Sequence, residues 1–181
     1  MSQNYCIFNN GLGSRGHPYL RRTVSLEKQK NYKKFIILKL TTLLGLGYIR
    51  GGGTLASLLG VGIFLLIKNN LSFFAFTLLV IILSLSLTTR AEEIIGKKDP
   101  KEVVIDDLSG QLLSLLFIPK KIPFIILAFF IFRLFDLLKI PPADILEKKK
   151  GSAGIVGDDL IAGLYTNVLL QAVRFILKIS S

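Results

Sequence analysis

Long apolar runs separated by short charged ones organise the chain. Residues 55–67 and 71–87 are continuously apolar and joined only by Lys68-Asn69-Asn70, a connection that predicts a helical hairpin. Upstream, residues 35–48 are apolar but short and carry Lys39, as expected of an interfacial or re-entrant segment. A charged linker over residues 89–102 contains Pro100 and leads into an apolar run at 103–118. Pro119 and Pro123 punctuate, the run at 122–139 follows, and Pro141-Pro142 end it. The last apolar stretch covers 155–179. Crossing a bilayer takes about 20 apolar residues, and several of these runs fall near or below that length. The pattern predicts an all-α, integral membrane helical bundle of about four to five membrane-embedded helices, some short or re-entrant.

Composition supports that class. The 181 residues are 51% hydrophobic with a mean hydropathy of +0.56 and a formal net charge of +11, a combination foreign to most soluble domains. Lys and Arg gather at the N-terminus and between apolar runs, as in polybasic segments that flank spans and meet anionic lipid. A nucleic-acid partner would need a basic face on a soluble fold, so none is expected. Residues 1–34 lack the apolar core of a signal peptide and read as a basic, partly disordered cytoplasmic extension. Residues 35–181 form the membrane-embedded domain.

Against this background five carboxylates stand out: Asp106 and Asp107, Asp136, and Asp158 and Asp159, each inside or at the end of an apolar segment. A carboxylate in hydrocarbon is costly and usually faces a bundle interior, a partner charge or a metal. With the N-terminus inside, Lys/Arg-rich loops place Asp106 and Asp107 at the start of an outward segment. Asp136 then ends an inward one, and Asp158 and Asp159 begin another outward one. All five converge on the cytoplasmic face, together with Arg50-Gly51-Gly52-Gly53-Thr54. Lys120-Lys121 on the outer side is the discordant signal.

Clustered carboxylates without His or Cys suit a hard cation such as Mg²⁺. The competing explanation for Asp158 and Asp159 is helix capping, which Asp136, near a helix C-terminus, does not share. Arg133, Asp136 and Lys139 follow one another at three-residue spacing and form one polar stripe on an apolar helix. Arg133 can grip phosphate bidentately and Lys139 acts as a point charge, or Arg133 pairs with Asp136 while Lys139 reaches the interface. The Gly-rich GGGTLAS offers backbone N–H groups at a helix start, with Thr54 as cap and Ser57 one turn on. His17 and Cys6 are the only residues of their kinds, which leaves no base for a Ser-His-Asp triad and no disulfide or Cys-pair zinc site. Metal-assisted phosphoester hydrolysis is what remains. Proton or cation coupling in a non-catalytic carrier or channel subunit is the alternative, although a coupling site belongs near the bilayer midplane.

Four ordered blocks, GLGYIRGGGTLASL, KKDPKEVVIDDLSGQLL, FRLFDLLKIPP and GSAGIVGDDLIAGL, resemble the phosphatidylglycerophosphatase A family over residues 46–170. The resemblance implies a multi-pass enzyme of the bacterial inner membrane. With its active site facing the cytoplasm, such an enzyme uses Mg²⁺ to remove the terminal phosphate of phosphatidylglycerophosphate, an anionic phospholipid. It places Gly53, Thr54 and Ser57 in a Gly-Thr-x-Gly-Ser block, and Asp99 upstream. Asp106 and Gly110 fall in an Asp-Glu-x-x-Gly block, Arg133, Asp136 and Lys139 in Phe-Arg-x-x-Asp-x-x-Lys, and Asp158, Asp159 and Gly163 in the last. The chain departs at Gly52 for Pro, Ala56 for Gly, Asp107 for Glu and Ile140 for Pro. The candidate catalytic and metal-holding residues are Asp106, Asp107, Asp136, Asp158 and Asp159. The candidate phosphate contacts are Arg133, Lys139, Gly53, Thr54 and Ser57.

Overall fold

A computed structural model describes residues 18–97, 100–138 and 152–177. The helices are α1 (Pro18–Thr41), α2 (Gly52–Leu66), α3 (Asn70–Ile95), α4 (Ile105–Ser114), α5 (Ile122–Leu138) and α6 (Ser152–Ile176), with a 3-10 segment at Leu43–Tyr48 between α1 and α2. Among the described residues there is no strand. Contacts divide the chain into residues 1–33 and 34–181, and the described part of the first unit is helical.

The expected hairpin is α2 and α3. Asn69 caps α3 by accepting the Leu71 N–H at 2.9 Å, and Phe64 and Phe73 close the turn edge to face, 5.0 Å between centroids. The charged linker begins later than the sequence suggests. α3 continues through Arg90 to Ile95 and stops at Gly96, whose φ of 75° only glycine adopts without cost. Its buried stripe of Phe73, Thr77, Val80, Ser84, Thr88 and Ala91 has the helical period, while Leu78, Leu79 and Ile82 face outward.

Among the described residues, α3 and α6 are the two helices long and apolar enough to cross a membrane; only 28% of each apolar window is buried, so most of that surface faces outward. α4 cannot cross. Its 10 residues span about 15 Å, and eight of them are buried, which makes it the central helix rather than a peripheral one. Phe117, at φ 58°, turns the chain away. The carbonyls left open at the end of α4 are met by one stripe of α6. Asn167 donates to Ser114 and Leu116 at 3.1 and 2.8 Å, Gln171 to Leu116 at 3.3 Å, and Arg174 to Phe117 at 2.9 Å. Irregular backbone inside a bundle persists only when its polar groups are satisfied in this way.

Lys120 has a local reason to sit where the charge pattern is discordant. Its Nζ donates to the carbonyls of Phe64, at 2.7 Å, and Ile67, and lies over the Phe64 ring, so it closes the C-terminus of α2. Burial, and then the Lys68 charge, lower its pKa from the ordinary lysine value.

α4 and α6 cross without side chains between them. A Cβ on Gly163 would lie 3.0 Å from the Gly110 carbonyl carbon and overlap its oxygen, and one on Gly110 would lie 2.6 Å from the Asp159 carbonyl oxygen. Gly110 follows Asp106 by four residues and Gly163 follows Asp159 by four. One helical turn before the crossing, therefore, each helix carries a carboxylate on the same side.

Candidate active site

The carboxylates meet at one end of the bundle. An oxygen of each of Asp106, Asp107 and Asp159 lies within 4.8 Å of the others, and Asp106 and Asp159 are each only 6% exposed. Because the two carboxylate-bearing turns of α4 and α6 sit on the same side of the glycine crossing, the helices enter from the same end. Both Asp pairs adopt one local geometry: the Asp107 N–H donates to Asp106 Oδ1 at 3.0 Å, and the Asp159 N–H to Asp158 Oδ1 at 3.1 Å.

α5 arrives from the opposite direction and brings Arg133 and Asp136 near its C-terminal end. Arg133 Nη1 contacts Asp107 Oδ1, lies 3.0 Å from Asp136 Oδ2 and approaches Ser57 Oγ at 3.5 Å. The plain Arg133–Asp136 pairing expected as an alternative does form, but the same nitrogen also reaches Asp107. The pair is thus part of the cluster rather than a separate anchor.

These groups line a cavity of ≈ 830 Å³ whose wall includes the loop from Gly47 to Gly53, the approach to α4 from Lys101 to Val104, and Leu137, Ile155 and Asp158. The loop is fixed by its neighbours. Val104 N–H donates to Thr41 O at 3.0 Å, and Gly47 packs so closely on the Glu102 backbone that a Cβ there would overlap it.

Several expectations need correcting. α2 begins at Gly52 behind Gly51, whose left-handed φ of 85° starts the helix, so Thr54 is no cap; it is exposed and does not line the cavity. Gly53 does line it, but its missing side chain makes room for the Asp107 carboxylate, which a Cβ would strike. Ser57 is buried and donates to Gly53 O at 3.0 Å, with Arg133 as its other neighbour. Capping does not explain Asp158 and Asp159, because α6 starts at Ser152, well before them. Lys139 and Asp99 lie outside the described residues. Arg50, Lys101 and Glu102 also line the cavity. Arg50 belongs to the Gly-rich stretch expected at this face, whereas Lys101 and Glu102, two charges in a linker, are indistinguishable in sequence from ordinary flanking charge.

Chemically the arrangement offers three carboxylates able to share a cation, a guanidinium beside them and two further carboxylates, in a cavity that opens to solvent. Among the described residues no His or Cys contributes, so the donor set there is all oxygen.

Comparisons with known proteins agree with that chemistry. The family model described as phosphatidylglycerophosphatase A matches residues 39–174. A Haemophilus influenzae protein named phosphatidylglycerophosphatase A is 32% identical over 126 residues, 68% of this chain and 72% of its own. A Bacteroides thetaiotaomicron protein with the provisional name phosphatidylinositol-3-phosphatase is 28% identical over 132 residues, 70% of this chain and 82% of its own. No solved structure matches. The family model covers most of the described helices and all five aspartates, and the chain belongs to the phosphatidylglycerophosphatase A family of phosphatases.

Proposed function

We propose that the protein is a Mg²⁺-dependent lipid phosphatase that hydrolyses the terminal phosphomonoester of phosphatidylglycerophosphate to phosphatidylglycerol and phosphate. The observation that carries this reading is the three-carboxylate cluster beside Arg133 at one end of an apolar bundle.

Asp106, Asp107 and Asp159 would hold the cation. Oxygens bound to one Mg²⁺ at about 2.1 Å are separated by at most about 4.2 Å, so a span of 4.8 Å needs only small side-chain rotations to close on it. Bound there, the ion would neutralise phosphate charge and lower the pKa of a water. The protein's own groups supply the rest. Arg133, fixed between Asp107 and Asp136, turns its guanidinium towards the cavity to orient the phosphoryl oxygens. Asp136 and Asp158 line the cavity outside the triad and are the carboxylates positioned to take the proton of the attacking water. Water attacks phosphorus, the P–O bond to glycerol breaks, and the leaving alkoxide takes up a proton.

The membrane setting follows from the same bundle. α3 and α6 cross, while α2, α4 and α5 pack among them with the cavity at one membrane face. The Lys/Arg-rich loops favour the cytoplasmic side of the bacterial inner membrane. A site at the end of the bundle also disfavours a carrier, whose coupling site belongs near mid-depth. Phosphate release from phosphatidylglycerophosphate by the purified protein tests the reading. Full activity in both Asp106→Asn and Asp159→Asn would refute the assigned roles.

A further inference from the structure

The cavity holds two sets of cations in different electrostatic situations. Arg133 is inner, 19% exposed, and engaged by two carboxylates. Arg50 and Lys101 are exposed residues of the wall, and among the described residues neither forms an ion pair. They stand on adjoining segments. Arg50 lies in the loop from Gly47 to Gly53, Lys101 opens the approach to α4, and the Gly47–Glu102 backbone contact and the Val104–Thr41 hydrogen bond hold the two segments together. Glu102 is the only acidic group of the wall on these two segments; the five aspartates belong to the inner site.

We propose that Arg50 and Lys101 form a second phosphate subsite, one that takes the phosphodiester of the lipid while its terminal phosphomonoester reaches Arg133 and the acidic triad. The inference rests on the lipid-phosphatase reading and adds the residues that select its two-phosphate substrate. The preferred lipids carry two phosphates, a diester on the diacylglycerol and a monoester on the headgroup, rather than a single monoester as in phosphatidic acid. The chemistry is that of the wall. A phosphodiester anion arriving beside six acidic side chains needs cations not already neutralised, and Arg50 and Lys101 supply them at the cavity edge, where the diacylglycerol end of the lipid must remain.

The test compares hydrolysis of phosphatidylglycerophosphate and phosphatidic acid by the full chain in nanodiscs of zwitterionic lipid, for the wild type and an Arg50→Gln/Lys101→Gln double variant. Losing two charge-assisted contacts lowers the ratio of kcat/KM for the two-phosphate lipid over the one-phosphate lipid by at least about tenfold. The change lies in KM, and Arg50→Lys/Lys101→Arg recovers most of it. An equal loss on both lipids, or an unchanged ratio with active wild type, would overturn the subsite alone. A wild type inactive on both lipids would overturn it together with the phosphatase reading.

Discussion

Gly53 and Asp107 are in direct contact across α2 and α4: a Cβ on Gly53 would lie 2.8 Å from Asp107 Cγ and 2.9 Å from Oδ1. The carboxylate that pairs with Arg133 and belongs to the acidic triad is therefore held against bare backbone. Gly53→Ala pushes it out of line, and kcat falls on the order of 10²-fold while the melting temperature in detergent changes little. Parallel turnover and thermal-unfolding measurements check this. An equal collapse of both would assign Gly53 a packing role instead.

Arg133 serves two carboxylates through one nitrogen and still faces the cavity. Lysine keeps the charge but not the planar fork, so Arg133→Lys lowers kcat/KM by roughly 10²-fold. Arg133→Gln costs more, because Asp107 and Asp136 also lose their counter-charge. If the lysine variant matches the wild type, Arg133 neutralises the carboxylates without orienting phosphate.

The proposed cation site assigns the five aspartates different expected roles. Chelation with EDTA abolishes activity, and added Mg²⁺ restores it. Asp106→Asn and Asp159→Asn raise the Mg²⁺ concentration for half-activation by about tenfold or more, because each removes one anionic ligand. Asp158→Asn, outside the triad, lowers kcat at saturating Mg²⁺ with a smaller change in that concentration. A Mg²⁺ titration of the three variants separates these outcomes.

At the far end of α2, Lys120→Met removes the donor to Phe64 and Ile67. The partly exposed position limits the loss to about 1 kcal/mol of stability. Lys120 does not line the cavity, so kcat should hold. Chemical denaturation in detergent reads the difference.

Local spacing made some of this site legible and long-range packing hid the rest. Arg133 and Asp136 share a helical face by spacing alone, and the structure puts both in the site. The convergence of three separated segments was expected from apolar runs alternating in direction across the membrane; the carboxylates do meet, but α4, read as an outward crossing, is too short to cross. By contrast, α4 ends at Ser114 although the apolar run continues to Ile118, because Phe117 turns left-handed and α6 side chains satisfy the freed carbonyls. Those partners are about fifty residues away. Gly51 rather than Thr54 starts α2 because a left-handed glycine competes with a side-chain cap, and local preference does not rank the two. Asp107 also shows what spacing leaves out. It is one methylene shorter than the Glu of the family pattern, yet it reaches Arg133 because Gly53 lets it lie against α2.

The contact of Gly110 with Gly163 fixes more than the packing of two helices. Asp106 and Asp159 stand one turn from a junction where main chain meets main chain, so no rotamer change at the junction can draw their helices closer. The separation works as a fixed gauge. Cations differ chiefly in bond length, about 2.1 Å for Mg²⁺ against 2.3–2.6 Å for Ca²⁺. Oxygens up to 4.8 Å apart already reach the wider spacing, so a cation of either size is met by rotation of the carboxylates while the helices keep their separation. What the two glycines set, without lining the site themselves, is the distance across which those carboxylates reach.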